Sequence, residues 1–234
     1  MPGCYRLATA QGSTKSTAIR PMKFYDFRPS PSPTKVRIVI AEKGLSIPTE
    51  SINLRELEQQ RAEYTEKHPG ATVPMLELDD GTYLTESLAI SHYLDRVFPE
   101  PNLLGTDPKE QALVLMWHDI ATFEGYLGVQ ELLRNSSGAF QGRALPGILP
   151  YEQIPALAER GRKRTELFLD KLERRLHSSD HLAVGRYTYA DIAAYVYVRF
   201  AARVLGNDPL PARPHLSRWT AEIAARPAVR AATG

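Results

Sequence analysis

Val73, Pro74, Glu86 and Ser87 fall within TVPMLELDDGTYLTES, residues 72 to 87, and their types and order suit the binding of a small peptide. A proline has no N–H to donate and is tolerated at the first residue of a strand. The X-Pro bond is also the one common setting for a cis peptide, and a cis turn aims the Val73 backbone outward. An outward N–H and C=O can pair with an extended peptide as one added strand, reading its backbone whatever its side chains. Glu86 and Ser87 stand where a helix opens. The free N–H groups, the positive end of the helix dipole and the serine hydroxyl together seat a carboxylate, while the Glu86 carboxylate can hold an ammonium. The combination fits a peptide with an amino-acid head group. Spacing alone also allows a plainer reading, in which Pro74 starts a strand and Glu86 and Ser87 open a helix.

Other chemistries leave no trace. The chain has no HExxH, no Walker phosphate loop, no GxSxG and no dinucleotide glycine fingerprint. Histidines 68, 92, 118, 177, 181 and 215 show no metal-ligand spacing, so no metal is expected. The single cysteine, Cys4, excludes an internal disulfide, a CxxC redox pair and a cysteine-built zinc site, and it fits a reducing compartment. A balance of 29 Lys and Arg against 27 Asp and Glu is too even to imply nucleic acid or a membrane surface as partner. No apolar run approaches the length of a membrane span.

The elements that must position these residues follow from periodicity. Residues 1–21 carry Arg6, Lys15 and Arg20, five Ser or Thr and no acid, which reads as a disordered extension or an organelle-targeting leader. A cytoplasmic protein is expected, or a mitochondrial one if residues 1–21 are a leader. From Met22 a strand at KFYDF is followed by a helix from Pro33 to Lys43, with Ser32 as its N-cap and Gly44 closing it. Strand-like PTESINL and a polar helical stretch to about His68 come next. The hairpin PMLEL and TYL turns at Asp79, Asp80 and Gly81 and leads into a helix from Glu86 to about Phe98. This βαβαββα order predicts a mixed four-stranded sheet, its first two strands parallel and its last two antiparallel.

After the linker PEPNLLGT, Asp107, Pro108 and Glu110 mark a helix start, and everything downstream reads as helix. Leu113, Met116, Ile120, Phe123 and Leu127 recur at helical spacing as an expected core stripe. Residues 136–151 form a long Gly- and Pro-rich connection of the kind that serves as a lid or as a disordered excursion. Glu159 to Arg175 is a charged helix with Leu167, Phe168, Leu172 and Leu176 on one apolar face. Thr188 and Asp191 make a capping box, with Tyr187 placed to staple against Ile192. The expected organisation is a domain over 22–102 and an all-helical domain over 107–234.

Several stretches resemble the glutathione S-transferase family along nearly the whole chain from Met22. They are VRIVIAEKGL, HPGATVPMLELDDGTYLTESLAISHYLDRVFP, GRYTYADIAAY and the later RPAV. YDFRPSPSPTKVRI and INLRELEQQ look closest to a yeast- and bacterial-type branch. The resemblance implies a thioredoxin-like N-terminal domain, an all-helical C-terminal domain, a homodimer, and glutathione as co-substrate with no tightly bound cofactor. The implied activity is conjugation of the glutathione thiolate to a small apolar electrophile, a detoxification reaction. A non-catalytic glutathione or ligand binder, or a glutathione-dependent isomerase or dehalogenase, is the alternative.

Carried over residue by residue, Val73 matches the backbone-pairing position and Pro74 the cis-proline, while Glu86 and Ser87 match the pair that holds the γ-glutamyl group. Ser30 matches the loop position facing the sulfur, with Ser32 and Tyr25 as rivals. Trp117, His118 and Tyr126, with the loop from Ser136, are the expected lining of the electrophile pocket. Two departures stand out. His68-Pro69 and Thr72 replace the Asn-Pro and the basic or amide residue that many members carry before Val-Pro. The loop RPSPSPT has three prolines and lacks the common Cys-Arg pair.

Overall fold

The computed structural model describes residues 22–234, so the segment 1–21, with Cys4, lies outside the described residues. Strand β1 (Lys23–Asp26) leads into α1 (Pro31–Glu42), and the chain returns as β2 (Thr49–Ser51), parallel to β1. A short turn of helix, α2 (Ala62–Thr65), precedes β3 (Met75–Glu77) and β4 (Tyr83–Thr85), which pair antiparallel; β3 also runs antiparallel to β1. The sheet order is β2-β1-β3-β4, and α3 (Ser87–Val97) follows. This is the expected mixed sheet and a thioredoxin-like arrangement.

Alternation along the strands sorts side chains to the two faces. Phe24 and Leu76 join Val36, Ile38, Val39, Ile90 and Leu94 in a core shared with the helical half. Tyr25 and Met75 turn to the other face, where they meet Ile52, Tyr64 and Val73.

The helical half comprises α4 (Pro108–Ile120), a π-helical segment (Ala121–Tyr126), α5 (Leu127–Ser136), α6 (Pro155–Leu176), α7 (Tyr189–Leu205), α8 (Pro214–Ala225) and α9 (Pro227–Thr233). Asp107 caps α4 by accepting from the Lys109 and Glu110 N–H groups, and the Thr188 and Asp191 capping box opens α7. Helices α5 and α6 approach closely because a Cβ on Gly161 would lie 2.5 Å from the Leu132 amide nitrogen and 2.6 Å from the Gly128 carbonyl. Among the described residues, no helix is long and apolar enough to cross a membrane.

The structure differs from the sequence reading in four places. Helix α1 begins one Ser-Pro pair earlier, with Ser30 at the N-cap and Pro31 at the first position. Pro33 then falls in the first turn, where a missing N–H is still harmless. The polar stretch before His68 is only a 3₁₀ turn at Glu58–Gln60 and the four residues of α2.

The expected core stripe is displaced as well. Met116, Phe123 and Leu127 are exposed, and the buried line is Val114, His118, Ala121, Gly125 and Val129. A helix pressed this closely by its neighbours buries its small residues and turns the large ones outward, and a Cβ on Gly125 would lie 2.5 Å from the Phe168 ring. Within α6, Phe168, Leu172 and Leu176 are buried as expected, but Leu167 faces solvent.

Candidate functional site

The groove starts at Val73. Its bond to Pro74 is cis. Its side chain is buried against Tyr25, Tyr64 and Met75, and the ladder between β3 and β4 begins only at Met75. The Val73 N–H and C=O therefore have no hydrogen-bond partner among the described residues. They form an unpaired donor and acceptor beside a sheet, the arrangement an added peptide strand requires. The loop before them is braced by the Tyr64 hydroxyl, which donates to the Thr72 carbonyl at 2.6 Å, and by the His68 ring, whose Nε2 lies 2.9 Å from Thr72 Oγ1. Burial pushes the His68 imidazole below its ordinary value, against the pull of the Glu86 carboxylate.

Glu86 sits between β4 and α3 with φ at +64°, the left-handed region that non-glycine residues avoid. Holding it there costs on the order of 1–3 kcal/mol, and the residue is exposed. Its carboxylate acts electrostatically on Lys35, His68, Tyr126 and Tyr197, so both halves of the molecule feel it. Ser87 is the first residue of α3 and is buried. No side chain caps α3, which leaves its first N–H groups open beside Glu86.

The mouth of α1 supplies the third wall. Ser30 has extended backbone angles; its N–H donates to Phe27 at 2.8 Å and its carbonyl accepts from the Thr34 hydroxyl at 2.7 Å, yet its own hydroxyl makes no capping bond. Ser32, in the first turn, faces the Tyr126 phenol across the seam between the two halves, and burial pushes that phenol up to about 12. Tyr25 belongs elsewhere. Its hydroxyl donates to Glu77 at 2.7 Å and accepts from Lys67 at 3.1 Å, and burial drives its ionisation far above neutrality.

Of the three expected pocket residues, Tyr126 comes nearest the α1 mouth, with its ring stacked 4.9 Å from that of Tyr197. His118 is buried, stacked 5.5 Å from Tyr189 at the start of α7, with Nδ1 3.1 Å from Asp119; burial first, then the charge of Lys35, pulls its imidazole down. Trp117 instead turns toward α6, where the Arg175 guanidinium lies 5.6 Å over its ring.

The connection over 136–151 is built rather than open. It contains a 3₁₀ turn at Gly138–Phe140 and a bridge between Arg143 and Tyr151, and its Gly147 carbonyl accepts from Gln60 of the sheet-bearing half at 3.1 Å.

Sequence reasoning missed Lys35. It is buried in α1, hydrogen-bonded through Nζ to the Tyr197 hydroxyl, and burial pulls its ammonium below the usual lysine range. The signal was available: Lys35 shares a helical face with Ile38, Val39 and Glu42, an odd place for a lysine unless something pairs with it.

With this geometry in place, comparison with known proteins is informative. Residues 29–97 match the model of the glutathione S-transferase N-terminal domain, and residues 141–227 that of the C-terminal domain. The chain is 30% identical over 214 residues to glutathione S-transferase 2 of Saccharomyces cerevisiae, covering 89% of this chain and 88% of that protein. A solved glutathione S-transferase domain-containing protein from Marinobacter aquaeolei superposes with a TM-score of 0.81 at 32% identity, covering 88% of this chain and 99% of the other. A shorter match, 38% identical over 93 residues, joins 39% of this chain to 44% of the maleylacetoacetate isomerase of Pseudomonas aeruginosa.

Proposed function

The chain belongs to the glutathione S-transferase family, and from that premise we propose that it conjugates the glutathione thiolate to small apolar electrophiles. The observation that carries the reading is the convergence of the unpaired Val73 N–H and C=O with the uncapped start of α3 at Glu86 and Ser87. Glutathione matches this pair end to end. Its cysteinyl backbone pairs with Val73, its γ-glutamyl carboxylate seats on the α3 N–H groups and the Ser87 hydroxyl, and its ammonium faces Glu86. That placement brings the thiol to the mouth of α1, with Ser30 as the donor to sulfur. Ser32 is turned toward Tyr126 and Tyr25 is held by Glu77 and Lys67, which supports Ser30 over both rivals.

A thiol of ordinary pKa, about 8.5, is only about 3% thiolate at pH 7. A serine hydroxyl and the dipole of α1 that lower it by about two units stabilise the thiolate by roughly 2.7 kcal/mol and raise its fraction about 25-fold. Nucleophilicity falls along with the pKa, by about 8-fold for a Brønsted slope near 0.45, so activation alone nets about 3-fold. Most of the acceleration must therefore come from holding the electrophile against the sulfur. Tyr126 and the loop over 136–151, which exposes Leu145, Ile148 and Leu149, are the apolar surfaces assigned to that task.

A glutathione-dependent isomerase is the second reading, favoured by the local similarity to maleylacetoacetate isomerase. The test is turnover of glutathione with a panel of aryl halides and enones. Conjugates that accumulate in stoichiometry with glutathione consumed support the transferase; substrate rearranged with glutathione recovered supports the isomerase. In either case Ser87→Ala should raise the glutathione KM by roughly tenfold, the value of one hydrogen bond to a charged group, with little effect on kcat. An unchanged KM removes the head-group assignment.

A further inference from the structure

We propose that His177 and His215 together bind one divalent late first-row transition ion, zinc, nickel or copper, at the junction of α6 and α8. The two rings meet edge to face, with their centres 4.8 Å apart and their planes at 72°. Two imidazoles that hold one ion at about 2.0–2.1 Å, with an angle between a right angle and a tetrahedral one, have ring centres roughly 4.5–5.2 Å apart. The pair already has the spacing of a two-histidine chelate. Neither ring makes a hydrogen bond or ion pair among the described residues, and His177 is exposed, so a nitrogen of each is free to turn toward a shared ion.

Glu173 holds the two backbones in register. It lies one turn before His177 on the same face of α6, and its carboxylate accepts from the amides of His215 at 3.3 Å and Leu216 at 2.7 Å, which pins the first turn of α8 against the end of α6. His177 is also the C-cap of the 22-residue α6, where the helix dipole favours a cation. Arg218 shares that end, donating to the Leu176 carbonyl, but its charge is matched by Asp180 at 3.3 Å and Glu222 at 3.0 Å.

Among the described residues no group of three or more His, Cys, Asp or Glu is placed to hold an ion. The two imidazoles are therefore the protein's whole share and water completes the shell, unlike a closed four-ligand zinc site. Imidazole selects zinc, nickel and copper over calcium and magnesium, which take oxygen ligands. Sequence spacing hides the pair, because one histidine ends α6 and the other begins α8.

Calorimetric titration of the full chain with zinc chloride, without glutathione, tests the proposal. Zinc should bind and magnesium should not. His177→Ala and His215→Ala should each weaken zinc at least about tenfold, and the double variant should bind no more weakly than either single one, because losing one ring already dismantles the chelate. His92→Ala, on α3, should bind as the unmodified chain does. Electron paramagnetic resonance of the unmodified chain with one equivalent of copper(II) should show two coordinated nitrogens, a reading that needs no variant to fold. Absence of zinc binding at millimolar concentration, undiminished affinity in either variant, weakening that simply adds in the double variant, an equal loss in His92→Ala, or a copper spectrum with a single nitrogen each overturns the proposal. None of these outcomes involves glutathione, so failure of the transferase reading is distinguishable from failure here.

Discussion

The Lys35 ammonium is hydrogen-bonded to the Tyr197 hydroxyl and lies 4.7 Å from the centre of the same ring, tying α1 of the sheet-bearing half to α7 of the helical half. Among the described residues no carboxylate forms an ion pair with this buried lysine; Glu86 acts on it only electrostatically. A buried charge held by a hydroxyl and a ring face is costly to desolvate, and removing its partner costs more than removing both.

Tyr197→Phe should therefore destabilise the protein by about 1–3 kcal/mol, because the ammonium is left with the ring alone. Lys35→Met, which keeps the length of the side chain and discards the charge, should be neutral or stabilising. Urea unfolding of both variants checks the pair. Equal destabilisation by the two would show that the contact contributes net stability instead of merely tolerating a buried charge.

Ser30→Ala should raise the pH at which bound glutathione ionises, by as much as about two units, followed by thiolate absorbance in the ultraviolet. The sign follows from the donor: a hydroxyl that hydrogen-bonds the thiolate favours the charged form, so its loss moves ionisation upward. At pH 7 kcat should fall about 3-fold from lost activation alone, with the glutathione KM little changed. Ser32→Ala should leave the ionisation in place. The reverse pattern would move the sulfur's partner to Ser32.

The frame of the molecule was legible in the chain, and the finer placement was not. Alternation in KFYDF and PMLEL, the Asp79-Asp80-Gly81 turn and the Thr188 and Asp191 box are local signals, and each produced the expected element. The start of α1 was ambiguous because RPSPSPT spells Ser-Pro twice and proline suits any position in a helix's first turn. The inward face of α4 and α5 was misread because hydrophobic size is a poor guide where helices nearly touch. There Ala121 and Gly125 go inside and Phe123 goes outside. Lys35 at the seam depends on Tyr197, 162 positions further along the chain, and no local pattern reports such a meeting.

The outward turn of those large residues has its own consequence. Met116, Phe123 and Leu127 recur at helical spacing and are 46%, 58% and 37% exposed, a band that a homodimer would cover. Met116→Glu with Phe123→Glu should shift the protein to monomer in light scattering while its circular dichroism is unchanged. An assembly state identical to that of the unmodified chain would place any dimer contact elsewhere.

The most direct measurement of the central claim is a calorimetric titration with three tripeptides: glutathione, its serine analogue, and glutathione methylated on the cysteinyl amide nitrogen. Recognition through the Val73 backbone predicts that the serine analogue binds within a fewfold of glutathione, since no side chain at that position is read. The methylated peptide, which lacks the N–H that the Val73 carbonyl would accept, should bind at least about tenfold more weakly. Equal affinity of the methylated peptide, or no binding of glutathione at millimolar concentration, would contradict the account.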